Sequence, residues 1–142
     1  MSRTILVPFD GSEDSIEGLE YALDAYPRSD LTVFHVIELA TVLPDDSTRE
    51  FDSWVQQVRN RREDAEELLE TATTMAAGHG GTVSTATWIG SPAKSIVEYA
   101  KTNGVDHVVI GSRGQTDESD RRLGSVAEAV LRRAPVLVTV IR

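Results

Sequence analysis

With 142 residues, 40% of them hydrophobic and 26% charged, the chain has the size of one folded domain and too much apolar content for global disorder. It contains no cysteine, which excludes disulfide scaffolds, thiolate metal sites, iron–sulfur clusters and cysteine nucleophiles together. The net charge of −9 repels nucleic acid, and an acidic excess in which Lys94 and Lys101 are the only lysines suggests adaptation to high salt.

The N-terminus runs from Met1-Ser2-Arg3 straight into Thr4-Ile5-Leu6-Val7, too short for the apolar region of a signal peptide, and no stretch approaches a membrane span. A soluble cytoplasmic protein with no membrane partner is expected. Ile5–Phe9 reads as a first strand. Ile16, Leu19, Leu23 and Tyr26 then recur at helical spacing until Pro27 stops the element. Leu31–Ile37 is a second strand. The segment from Thr48 to Ala77 is predicted as a long helix, because Phe51, Trp54, Val55, Val58, Ala65, Leu68, Leu69, Ala72 and Met75 form one stripe; Gly78-His79-Gly80-Gly81 ends it. Thr82–Trp88 is a third strand. Ser91-Pro92 predicts an N-cap and first turn for a helix with Ile96, Val97 and Ala100 on its apolar face, closed by Asn103-Gly104. Asp106–Ile110 is the fourth strand, Ser125–Arg133 the fourth helix, and Val136–Ile141 the last strand. Strands alternating with helices predict a single α/β domain over residues 1–142, with a parallel sheet covered on both faces.

Two long segments carry no predicted element, Glu38–Ser47 and Gly111–Gly124. The second follows the fourth strand as Gly111-Ser112-Arg113-Gly114, then nine residues, then Gly124-Ser125 opening a helix. Glycines let main-chain N–H groups approach a ligand, and a helix N-terminus carries partial positive charge, so the arrangement suits a phosphate, with the Ser125 hydroxyl as a further donor. The competing reading is a glycine-rich connection that only turns the chain.

These residues resemble a known family. Ile5-Leu6-Val7-Pro8-Phe9-Asp10-Gly11-Ser12, the glycine pattern, and Gly124-Ser125-Val126-Ala127-Glu128 leading into Arg133-Ala134-Pro135-Val136-Leu137-Val138 look like the universal stress proteins, and the glycine spacing like their ATP-binding branch. The resemblance implies an open, Rossmann-like sheet of five parallel strands in the order 3-2-1-4-5. It places adenine and ribose against Asp10 and a main-chain group near Ile37, with ribose and phosphates against Gly111, Gly114, Gly124, Ser125 and the N–H of Val126. Pro8, Ser12 and Arg113 would line the same crevice. It further implies ATP or another adenine nucleotide, with Mg or Mn held mainly by phosphate oxygens. A homodimer would form through antiparallel pairing of Val136–Ile141, burying Val136, Val138 and Val140 or their alternates. The sequence departs from the family in its nine-residue insert, where Asp117, Glu118 and Asp120 would repel a polyphosphate unless a cation intervenes or Arg121 or Arg122 folds back on it.

Other chemistries fit less well. The loop has no lysine and lacks the P-loop pattern, and Gly111 and Gly114 are spaced wrongly for a dinucleotide fingerprint. His35, His79 and His107 show no metal-ligand spacing, and neither Ser12 nor Ser125 stands in a nucleophile elbow. Asp10 could merely cap the following helix. The expected function is a nucleotide-dependent stress-response module with an unknown protein partner. The alternatives are a slow Mg-dependent ATPase or phosphotransferase, and a dimeric scaffold that binds no nucleotide.

Overall fold

A computed structural model of the protein describes residues 3–39, 48–113 and 123–142. The chain begins with β1 (Thr4–Pro8), whose Ile5, Leu6 and Val7 are fully buried, so both faces of the strand are covered. α1 (Glu13–Ala25) follows, and its N-cap Ser12 accepts the N–H of Ser15 through its side chain. β2 (Asp30–Ile37) leads to α2 (Thr48–Gly78), which ends in a turn with Gly80 at φ 75°. β3 (Ser84–Ile89), α3 (Pro92–Thr102), β4 (His107–Gly111), α4 (Ser125–Arg133) and β5 (Leu137–Ile141) complete the chain. All strand pairs are parallel and the order is β3-β2-β1-β4-β5, as the resemblance implied.

The sheet separates two cores. Ile5, Val7, Leu31, Val33 and Val109 point to one face, where Leu19, Ala22 and Leu23 of α1 meet Leu69, Ala72 and Ala76 of α2. Leu6, Phe34, Val108 and Ile110 point to the other, against Ile96 and Ala100 of α3 and Ala127 and Val130 of α4. Alternate residues of one strand thus feed opposite cores, which is why the central strands read as continuous apolar runs.

Three expectations are corrected in detail. β3 starts at Ser84, because its pairing with β2 begins at Thr32 opposite Ser84; Val83 packs instead on the core between α1 and α2. Ser91 occupies the N-cap of α3 with Pro92 behind it, but its side chain makes no capping bond among the described residues. The last strand starts at Leu137, one residue later than expected; Val136, Val138 and Val140 pack on the core formed with α3 and α4, and among the alternate positions Leu137 is 64% exposed.

Candidate functional site

β1 and β4 are neighbours, and from their carboxyl ends the chain leaves in opposite directions, to α1 on one face and α4 on the other. Such a switch point leaves a crevice at the strand ends. Here it is a cleft of about 360 Å³, within the range of about 300–1,000 Å³ common for small-molecule sites. Pro8, Asp10, Ser12, Gly111, Arg113, Gly124, Ser125 and Val126 all line it. Gly114 lies outside the described residues, as does the acidic insert from Asp117 to Arg122.

The β1 bank is shaped by its own side chains. Asp10 Oδ1 accepts the N–H of Ser12 at 2.9 Å, so a short Asx turn delivers Ser12 to the cap of α1. Ser12 Oγ accepts from Ser15 N at 3.3 Å, and Ser15 Oγ donates to the Ser12 carbonyl at 2.8 Å. Asp10 therefore shapes the turn, while Ser12 is the cap.

The β4 bank is different. Ser112 N–H donates to the Ile141 carbonyl at 2.7 Å, and the Ser112 carbonyl accepts the N–H of Gly124 at 2.6 Å, which ties the two ends of the glycine loop together. Gly124 then caps α4 without a side chain, and no side-chain capping hydrogen bond forms there among the described residues. The first-turn amides of α4 are thus donors of the kind that an anion can satisfy. Gly111 has a packing role as well. A Cβ built there would lie 2.7, 2.8 and 2.9 Å from the carbonyl carbon, carbonyl oxygen and Cβ of Asp14, so only glycine lets α1 approach the end of β4 this closely.

The remaining walls come from elements that the sequence did not connect to the site. Phe34, His35, Val36 and Glu38 line the β2 side, Arg61 reaches in from α2, and Ile96 from α3. A main-chain group near Ile37 was expected to meet adenine, and it is the neighbouring Val36 and Glu38, not Ile37, that line the cleft. The Ile37 side chain is buried and its carbonyl accepts the Gly90 N–H at 3.0 Å. His35 Nδ1 lies 2.9 Å from the Phe9 carbonyl, which can only accept, so the proton is on Nδ1.

The model of the universal stress protein family matches residues 1–142. The chain belongs to that family. A universal stress protein of Methanocaldococcus jannaschii is 33% identical over 96% of this chain and 81% of its own length. Among solved structures, the universal stress protein UspA from Lactobacillus plantarum has a TM-score of 0.86 at 22% identity, covering 99% of this chain and 97% of that one. Two further structures with this fold contain adenine nucleotides. One is a universal stress protein in complex with cAMP, with TM-score 0.71 and 23% identity over 99% of this chain and 97% of that one. The other is a family member from Arabidopsis thaliana with AMP bound, with TM-score 0.68 and 17% identity over 98% and 90%. Within the universal stress protein fold the cleft of this chain occupies the switch point, and no helix among its described residues is long and apolar enough to cross a membrane.

Proposed function

We propose that this universal stress protein binds ATP or another adenine nucleotide in the cleft between β1 and β4, and acts as a nucleotide-dependent module of the stress response in the cytoplasm. The observation that carries the reading is the N-terminus of α4. It opens on the cleft with Gly124 as its cap and no side-chain bond to its first-turn amides among the described residues. Phosphates would take those amides, together with the Ser125 hydroxyl and the N–H of Val126. The adenosine end would extend toward Asp10, Val36 and Glu38, where the wall combines apolar surface with carboxylates able to accept from ribose hydroxyls or an amino group. The cAMP and AMP complexes of structurally similar proteins support an adenine nucleotide as the ligand class.

A divalent ion, Mg or Mn, would be carried in by the phosphate oxygens. Among the described residues no group of three or more His, Asp or Glu side chains is placed to hold a metal. Asp10 would serve such a complex by orienting the turn and the ribose end. The assembly we propose is a homodimer through the free edge of β5, with exposed Leu137 at the seam.

Mass spectrometry of the nucleotide retained through native purification, followed by calorimetry with ATP, ADP, AMP and cAMP, tests the reading. Recovery of an adenine nucleotide and a measurable affinity for at least one of the four are expected. An empty protein that gives no heat with any of them would refute it.

A further inference from the structure

The first turn of α1 carries a carboxylate that neither the glycine motif nor the helix cap requires. The Asp14 side chain is only 10% exposed, yet both its polar partners belong to the opposite crossover. Oδ2 accepts the main-chain N–H of Arg113 at 3.1 Å and lies 3.5 Å from Arg113 Nε. Ser12 adds a third tie, donating from Oγ to the Arg113 carbonyl at 3.4 Å. The close approach that permits these contacts exists because Gly111 has no side chain to push Asp14 away. A buried carboxylate is costly unless charged or polar partners compensate it, so the Asp14–Arg113 pair is held together from both sides. Arg113 in turn lines the cleft beside Ser112, on the bank where α4 begins.

We propose that Asp14 is a positioning residue for polyphosphate recognition: by gripping the Nε and main-chain N–H of Arg113, it holds that guanidinium at the phosphate end of the cleft. The proposal rests on the nucleotide reading of the cleft. A long cationic side chain whose rotamers are restricted before binding loses less freedom when the anion arrives. The contact also masks a carboxylate that would otherwise repel phosphate at short range. Adenosine, having no phosphate, should be indifferent to the whole arrangement.

Calorimetric titration of ATP and adenosine tests this with wild type, Asp14→Asn, Asp14→Ala, Arg113→Ala and the double variant Asp14→Ala/Arg113→Ala. Asp14→Ala should weaken ATP about tenfold or more, the scale of a charge-assisted hydrogen bond, and leave adenosine unchanged. Asp14→Asn should fall between, because its amide oxygen still accepts the Arg113 N–H but no longer pairs ionically. The double variant should bind ATP no worse than Arg113→Ala alone. Equal losses for ATP and adenosine, additive losses in the double variant, or an unchanged ATP affinity in Asp14→Ala would overturn the proposal. If Asp14→Ala does not fold, the same comparison is read from Asp14→Asn. A wild type that binds neither ligand sinks the nucleotide reading and this inference with it, whereas a binding wild type with insensitive variants sinks the positioning role alone.

Discussion

After β1 the chain enters α1 through Asp10, Gly11 and Ser12; after β4 it enters α4 through a longer loop that ends at Gly124. Both crossovers deliver a helix N-terminus to one cleft, and both use serine and glycine to do so. Their hydrogen bonds differ. The first is held by its own side chains, with Asp10 on Ser12 N–H and Ser12 on Ser15 N–H, whereas the second closes its base through Ser112 and Gly124 and leaves the first turn of α4 without a side-chain cap among the described residues. A crossover held by its own side chains is a support, and one that keeps donors facing a cleft can receive a ligand.

The largest effect should come from joining the two banks badly. Gly111→Ala would drive a methyl group into the Asp14 backbone, and overpacking of this kind costs about 1–3 kcal/mol, or roughly 3–10 °C in Tm for a chain of this size. Calorimetric unfolding measures it; a Tm within 1 °C of wild type would show that α1 can retreat freely. Next, Ser12→Ala removes the cap of α1 together with its tie to the Arg113 carbonyl, and its main effect should be a loss of about 1 kcal/mol of stability in denaturant titration. Ser125→Ala should do the reverse, lowering nucleotide affinity by roughly two- to tenfold, the worth of a neutral hydrogen bond, while stability stays the same. If the two serine variants behave alike, the distinction between support and receptor fails.

The smallest effect is expected at the other end of the sheet, far from the cleft. His107 at the start of β4 is buried, its Nε2 lies 2.8 Å from Thr139 Oγ1, its ring meets that of Tyr26 edge-on, and its Nδ1 has no partner among the described residues. Burial, reinforced by Arg3, lowers its pKa below the ordinary histidine value. The neutral form is therefore the one that folding favours. Its stabilisation is complete above the unfolded-state value of about 6.5 and is lost as pH falls below it, because the unfolded chain takes up the proton first. Denaturant midpoints between pH 7.5 and 5 should decline, and the decline should be shallower in His107→Gln. Equal slopes would remove His107 from the account.

Much of the fold can be read directly from residues. Ile5-Leu6-Val7 and Val108-Val109-Ile110 read as strands buried on both faces, and Pro27, Gly80 and Gly104 mark element ends where the structure has them. The cleft was legible where a motif is local: Asp10, Ser12, Gly111, Gly124 and Ser125 are strand-end or helix-start residues in obvious sequence context. It was not legible at Asp14, Phe34 or Arg61, whose roles depend on residues far away in the chain; Asp14 and Arg113 are 99 positions apart. Ile37 illustrates the same limit. A main-chain group near it was expected, and its carbonyl is taken by the Gly90 N–H after β3 while Val36 and Glu38 on either side line the cleft, a pairing between segments far apart in the chain.

Periodicity and turn chemistry in this chain determined which segments are strands and helices, and the order of hydrophobic runs determined that they build a parallel α/β sheet, because each is a property of neighbours along the backbone. Which carboxylate grips which arginine, which glycine must lack a side chain, and which helix end has no side-chain cap among the described residues were decided only when β1 and β4 came together. Those outcomes depend on distances of a few ångströms between residues on separate crossovers, and no local pattern encodes them.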